Sequence, residues 1–255
     1  MSFFHAIILG VVEGITEFLP ISSTAHLILV SHFLHISQSS FVTLFEVVIQ
    51  SAAILSVVVL FWKKLFENKK IIFLIAASFV PTAIIGFLMH DMIKEVFFKS
   101  DVIIPIALLS MGLIFLVVEF LISKKKLVLS QSLTEFTYSH AFLIGLFQAL
   151  AIFPGISRAG AVIIGMMLLK YKRTDAALYS FYLAVPTIMA ASALDLLKTD
   201  PAVFTGPNVQ ILLVGAVVSA VTAYLSINTF IKYLSSHSLV PFALYRIALA
   251  AVLMI

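Results

Sequence analysis

The sequence predicts an all-α polytopic membrane protein, and three observations lead there. Its 255 residues are 62% hydrophobic and only 11% charged, with a mean hydropathy of +1.17, well outside the composition of soluble domains. Runs such as Ile71 to Met89 and Val209 to Ile231 contain no charged residue, and a helix needs roughly 20 such residues to cross a hydrocarbon layer. These runs are apolar on every face and longer than the roughly ten-residue alternating strands of an outer-membrane barrel. A soluble domain and a β-barrel are both excluded.

The elements follow in order. Met1 to His5 has neither a basic flank nor a small-residue cleavage pattern, so no removable signal peptide is expected. The apolar stretch Ser2 to Phe33 is interrupted at Leu19-Pro20-Ile21-Ser22-Ser23. Three crossings are predicted next, at Phe41 to Trp62, Ile71 to Met89 and Ile103 to Ile122. A second broken stretch, His140 to Leu169, is interrupted at Pro154-Gly155-Ile156-Ser157-Arg158, and crossings at Ala176 to Leu197, Val209 to Ile231 and Val240 to Ile255 complete the chain. Each arm of a broken stretch is too short to cross comfortably, and proline removes a backbone donor and restricts the residue before it. Two re-entrant helical hairpins are therefore expected beside about six transmembrane helices, because backbone opened at membrane depth survives only where protein or a wet cavity covers it.

Charge orients the chain. Lys63, Lys64, Lys69 and Lys70, then Lys124 to Lys126, then Lys170, Lys172 and Arg173 alternate with segments carrying Asp91, Glu95 and Asp101, or Asp195 and Asp200. Placing these clusters and Lys232 in the cytoplasm accounts for 11 of the 16 Lys and Arg residues, and basic residues mark the cytoplasmic side. Both chain ends then lie outside. The formal charge of +4 is topology information, so no nucleic-acid partner is expected. The absence of cysteine rules out disulfides, cysteine metal sites and thiolate nucleophiles.

The same orientation makes the hairpins enter from opposite sides. They also resemble each other: His5-Ala6-Ile7-Ile8-Leu9-Gly10 aligns with His140-Ala141-Phe142-Leu143-Ile144-Gly145, Glu13 with Gln148, and Pro20 with Pro154 after a one-residue slip. The expected organisation is a single membrane domain, 1–255, with inverted repeats at about 1–90 and 136–235, a connecting helix at 103–122 and a terminal helix at 240–255. Inverted repeats with broken helices place a polar site near the midplane.

The residues that do not suit lipid cluster at these breaks. Glu13 and Glu17 share one helix face a turn apart, and two carboxylates in apolar surroundings call for a bound cation, a shared proton or an arginine. Ser22 or Ser23 can cap the helix after the first break. Capping does not explain His26, which needs a partner or a proton to move. Ser157 and Arg158 open the helix after the second break, where amide groups and a guanidinium fork suit phosphate oxygens. Arg158 also has the charge to neutralise Glu13 or Glu17. Thr24, Glu46 and Arg246 are supporting candidates; Arg246 is placed to reach phosphate or a carboxylate. The cytoplasmic lysines and Arg173 are assigned to topology and headgroup contacts.

Carboxylates, hydroxyls, an imidazole and an anion-binding arginine form a phosphoryl-transfer set. A divalent cation, Mg²⁺ or Ca²⁺, on Glu13 and Glu17 would neutralise phosphate oxygens. The attacking group is left open between water activated by Glu17 and a hydroxyl such as Ser23, with His26 or a glutamate accepting its proton. The apolar surroundings favour a phosphate carried on a long lipid.

The run Glu13-Gly14-Ile15-Thr16-Glu17-Phe18-Leu19-Pro20-Ile21-Ser22-Ser23-Thr24-Ala25-His26 and the run Pro154-Gly155-Ile156-Ser157-Arg158 closely resemble the two signatures of the bacterial undecaprenyl-diphosphatase, or bacitracin-resistance protein, family. Phe45 to Gln50 and Pro241 to Arg246 look like further family segments, so the resemblance spans essentially the whole chain. It implies hydrolysis of undecaprenyl diphosphate to the monophosphate and inorganic phosphate at the outer face of the inner membrane, dependent on divalent cations. It recycles the carrier of cell-wall synthesis. On this pattern Glu13 and Glu17 are the acidic pair, Ser23 and His26 the hydroxyl and imidazole partners, and Ser157 and Arg158 the phosphate-binding pair. Ala159 departs from the serine often found there. The other class of function is movement of the monophosphate carrier across the membrane, which the repeat alone would favour. Oligomeric state is left open, a homo-oligomer included.

Overall fold

The computed structural model describes residues 1–67, 69–89 and 102–254; Asp91, Glu95 and Asp101, used above for orientation, lie outside them. The described residues form ten α-helices: α1 Phe3–Thr16, α2 Ser23–Phe33, α3 Ser40–Glu67, α4 Lys69–Leu88, α5 Ile103–Ser123, α6 Tyr138–Ala149, α7 Arg158–Leu168, α8 Arg173–Lys198, α9 Gly206–Leu234 and α10 Val240–Leu253. Five of them, α3, α4, α5, α8 and α9, are long and apolar enough to cross a membrane. The sixth expected crossing differs. Helix α10 has 14 residues, roughly 21 Å of rise against a hydrocarbon layer of about 30 Å, and it packs along α5.

Both broken stretches are short helix pairs, and they are built alike. Ser2 Oγ accepts from the His5 amide at 3.3 Å to start α1, and Thr137 Oγ1 accepts from the His140 amide at 3.3 Å to start α6. After each break a serine caps the outgoing helix. Ser22 Oγ accepts from Ala25 N at 3.4 Å and Ser157 Oγ from Gly160 N at 3.1 Å, satisfying amides that have no partner within the helix. The two serines also share a left-handed backbone, φ 73° and 70°, which is strained for any residue with a Cβ. All three pairs (2 and 137, 5 and 140, 22 and 157) are related by the shift of 135 that relates the aligned sequences.

Packing repeats the pattern. Helix α1 runs along α9, and α6, its counterpart, runs along α4. Glycines permit both approaches: a Cβ on Gly10 would lie 2.9 Å from Gly215 O, and one on Gly145 would lie 2.2 Å from Ser78 O. A threonine hydroxyl from the neighbouring helix lies near each glycine carbonyl, Thr222 Oγ1 at 3.3 Å from Gly10 O and Thr82 Oγ1 at 2.8 Å from Gly145 O. Helices α3 and α8 pack against each other between these pairs. Buried serines bond carbonyls of adjacent helices, Ser56 to Ala220, Ser78 to Ala141 and Ser219 to Ile49, the polar adhesion expected where helices gain nothing from leaving lipid. The outer surface exposes Leu55, Val59, Trp62, Phe73, Phe87, Val117 and Val217, an apolar belt matched to acyl chains.

The basic clusters gather at one end. Lys69 and Lys70 open α4 as Lys172 and Arg173 open α8, and Tyr179, early in α8, donates to Leu74 O early in α4 at 2.9 Å. Arg173 does more than set topology. Its guanidinium forms a two-pronged ion pair with the buried Glu119 of α5, and Glu119 Oε1 also accepts from Leu239 N at 2.9 Å, so one carboxylate ties α5, α8 and the approach to α10.

Close packing at Gly14 sets a test. A Cβ there would meet Thr222 Oγ1 at 1.9 Å and Ser219 O at 2.5 Å, whereas Gly86 faces open space. Gly14→Ala is expected to destabilise the detergent-solubilised protein by about 1–3 kcal/mol through overpacking, and Gly86→Ala to leave its thermal midpoint near that of the parent. Equal midpoints for the two variants would contradict this packing.

Candidate active site

The two breaks meet. Glu17 caps α1, and its carboxylate receives one donor from each hairpin: Ser23 Oγ donates to Oε2 at 2.5 Å, and Arg158 Nη2 donates to Oε1 at 3.1 Å. Ser23 and Arg158 are the first residues of α2 and α7 and are themselves related by the shift of 135. Arg158 also donates through Nη1 to Ser180 O in α8 at 2.9 Å, while its Nε has no partner among the described residues. Of the two serines that could cap α2, Ser22 takes that role. Ser23 is left free to face the carboxylate.

Arg246 holds the arrangement from behind. It is fully buried and donates to Pro20 O of the first break at 3.0 Å, to Gly155 O and Ile156 O of the second at 2.6 and 3.1 Å, and to Ala107 O of α5 at 3.4 Å. Its expected partners, a phosphate or a carboxylate, are replaced by backbone carbonyls. Proline and glycine open the helices and leave those carbonyls without amides, and one guanidinium fork collects them.

His26 is turned into the protein. Nδ1 lies 2.7 Å from Ser22 O and Nε2 lies 2.6 Å from Tyr245 Oη, with the two rings stacked at 5.6 Å and 9°. A carbonyl only accepts, so Nδ1 carries a proton, and in the neutral ring Nε2 accepts from the tyrosine. Tyr245 was not singled out from the sequence, since a tyrosine in an apolar helix gives no sign of its partner. Glu13 is fully buried beside Glu17, close enough for the two carboxyl groups to share a proton, and no other donor bonds its oxygens among the described residues; Glu46 and Arg158 also act on it through their charge.

A cavity of about 380 Å³ opens in front of Glu17, Ser22, Ser23, Thr24, Ser157 and Arg158. Glu13, His26, Glu46 and Arg246 are not on its wall. Its far side is formed by Phe79 to Phe87 of α4 and Thr187 to Asp195 of α8, the ends of those helices remote from Lys69, Lys70, Lys172 and Arg173. Apolar side chains such as Phe79, Phe87, Phe153, Ile188 and Leu194 line most of it. Gln148 joins the wall as well, at the position that the repeat relates to Glu13.

Among the described residues no three His, Asp or Glu side chains form a ready-made metal cage. The chemistry on hand nevertheless suits a hard cation. Glu13 and Glu17 bring two carboxyl groups together with no other donor on Glu13 among the described residues, and Mg²⁺ is commonly held by one or two carboxylates with substrate phosphates and water completing the shell.

These features define a multi-pass membrane protein with a polar site held between two broken helical hairpins. The chain belongs to the family described as bacitracin resistance protein BacA, whose profile matches residues 6–252. It is similar to proteins named undecaprenyl-diphosphatase from Aquifex aeolicus (41% identical, 99% of this chain and 97% of the relative), Wolinella succinogenes (43%, 99% and 97%) and Persephonella marina (44%, 100% and 99%).

Arg246→Ala would leave the buried carbonyls of Pro20 and Gly155 and the part-buried one of Ile156 without this donor, at about 1–3 kcal/mol for each buried one. The variant is expected to lose several degrees or more in thermal midpoint. Arg246→Lys, which keeps the charge and loses the fork, should recover only part of that stability. Full stability of Arg246→Ala would show that the breaks do not rely on the clamp.

Proposed function

We propose that this protein hydrolyses undecaprenyl diphosphate to undecaprenyl phosphate and inorganic phosphate in the bacterial inner membrane, at the face opposite its lysine-rich end. One observation carries the reading: Glu17 receives a hydroxyl from one hairpin and a guanidinium from the other on the wall of a single cavity. The full-length similarity to undecaprenyl-diphosphatases supports the substrate. The cavity's opening between the ends of α4 and α8 remote from Lys69, Lys70, Lys172 and Arg173 supports the outward face, and with it the outward termini. The segments 1–90 and 136–235 act as inverted repeats around this site.

In this mechanism the diphosphate enters with its prenyl chain along the apolar wall. Arg158 releases part of its hold on Glu17 and turns its donors, the unpartnered Nε included, to the phosphate oxygens, where charge grows during transfer. Ser157 Oγ already accepts from Gly160 N and still has its own proton to donate to the same phosphate. Glu17 is the proton acceptor, because Ser23 already donates to it at 2.5 Å. Two routes use this base: Ser23 attacks phosphorus and water later releases the phosphoserine, or Glu17 activates water directly. Glu13 with Glu17 would hold a divalent cation, Mg²⁺ or Ca²⁺, whose charge would neutralise the diphosphate. His26 orients α2 through Ser22 and Tyr245, a supporting role in place of proton transfer.

Purified protein in detergent is expected to release phosphate from undecaprenyl diphosphate, to stop on EDTA addition and to resume with Mg²⁺ or Ca²⁺. Glu17→Gln and Arg158→Ala should each reduce turnover by about 10²–10³-fold with folded protein retained. Near-normal turnover in either variant would remove that residue from the chemistry, and carrier movement in liposomes without phosphate release would replace hydrolysis with transport. His26→Gln is expected to keep a larger share of activity than Ser23→Ala; the reverse order would restore histidine as the proton acceptor. A phosphoenzyme trapped by acid quench in the parent and absent from Ser23→Ala would select the covalent route.

A further inference from the structure

Gln148 is 1% exposed and borders the cavity. Its amide nitrogen donates to Thr82 Oγ1 at 3.0 Å and to Thr187 Oγ1 at 3.1 Å. Each threonine hydroxyl spends its own proton on a helix carbonyl, Thr82 on Gly145 O at 2.8 Å and Thr187 on Leu183 O at 2.7 Å. Both hydroxyls are therefore acceptors toward the glutamine. Rotating the amide by half a turn would set its oxygen against two hydroxyls whose protons are already committed to those carbonyls, so the two threonines hold its direction.

The locked amide leaves Oε1 without a partner among the described residues. An unpaired buried acceptor costs about 1–3 kcal/mol, and the locking threonines keep it in place. Oε1 repels the anionic oxygens of a diphosphate and is matched by something that donates. At a mostly apolar wall the donor available to every hydrolytic route is water, which stays in such a site only where polar groups hold it.

We propose that Gln148, fixed by Thr82 and Thr187, is a positioning residue for the water consumed in the reaction, an inference that rests on the hydrolase reading. The water oxygen forms the new bond to phosphorus, on the substrate's terminal phosphate or on phosphoserine 23. The bond to the departing oxygen breaks, and its electron pair leaves with undecaprenyl phosphate or with Ser23. One water proton passes to Glu17, or to the departing serine oxygen through it. The other is the one that Gln148 Oε1 holds, and it stays on the phosphate formed. Glu13 at the equivalent place in the first hairpin is a carboxylate. The carboxamide in the second hairpin accepts a hydrogen bond without adding a negative charge beside the phosphates.

The test measures kcat, KM and the division of phosphate between water and added methanol, using undecaprenyl diphosphate and the full chain in detergent. Gln148→Leu is expected to lower kcat at least tenfold with KM within about twofold, and to raise the methyl phosphate share severalfold, since water loses its holder and methanol loses little. Thr82→Val with Thr187→Val keeps the amide but unlocks it, and should shift the methyl phosphate share in the same direction by less. Unchanged kcat in Gln148→Leu, or a lower kcat with an unchanged methyl phosphate share, would overturn the proposal and leave a packing role. Absence of phosphate release by the parent protein would overturn the hydrolase reading, and this one with it.

Discussion

A helix that stops inside a membrane exposes amides and carbonyls where no lipid can bond them, and this molecule depends on how that debt is met. The two breaks free carbonyls at Pro20, Gly155 and Ile156, and the buried guanidinium of Arg246 takes all three. Their amide side is covered by Ser22 and Ser157, which cap the outgoing helices. Once both breaks are tied to the same side chain, the first residues of α2 and α7 face each other. Ser23 and Arg158 then reach Glu17 without either hairpin having to move.

The two halves share a scaffold and divide the chemistry. Caps, glycine contacts and strained serines recur at equivalent positions, so the backbone of one hairpin closely repeats that of the other. Side chains at those positions diverge: Ser23 against Arg158, Glu13 against Gln148. A symmetric pocket would present like charges to itself, two acids or two bases. Divergence supplies a proton acceptor and a hydroxyl from one side and an anion-binding cation from the other.

Much of the site was legible because polar side chains in apolar runs are costly and so stand out. Glu13, Glu17 and Arg158 could be named from that cost, Ser23 and Ser157 from their places at the breaks and from the family signatures, and Glu17, Ser23 and Arg158 are joined by direct hydrogen bonds. The same cost pointed to Arg246 without naming its partners, and charge placement did not show that Arg173 pairs with Glu119. A buried guanidinium is satisfied equally well by a phosphate, by the carboxylate of Glu119 or by carbonyls released at a distant proline, and sequence spacing does not distinguish these partners. His26 follows the same rule, its second nitrogen being met by Tyr245 from the other end of the chain. Gln148 appeared only as an aligned counterpart of Glu13, because its threonine partners lie on α4 and α8.

The sequence by itself determined the membrane class, the five long crossings, the places where two helices break and the polar residues gathered there. Each of these follows from local hydrophobicity, proline and capping chemistry, which act over a turn or two of chain. Tertiary structure alone decided that the breaks meet, that Ser22 caps while Ser23 faces Glu17, that Arg246 serves the backbone, and that α10 is a short helix against α5. Those outcomes depend on which distant groups share a donor or an acceptor, and that is settled only when the helices pack.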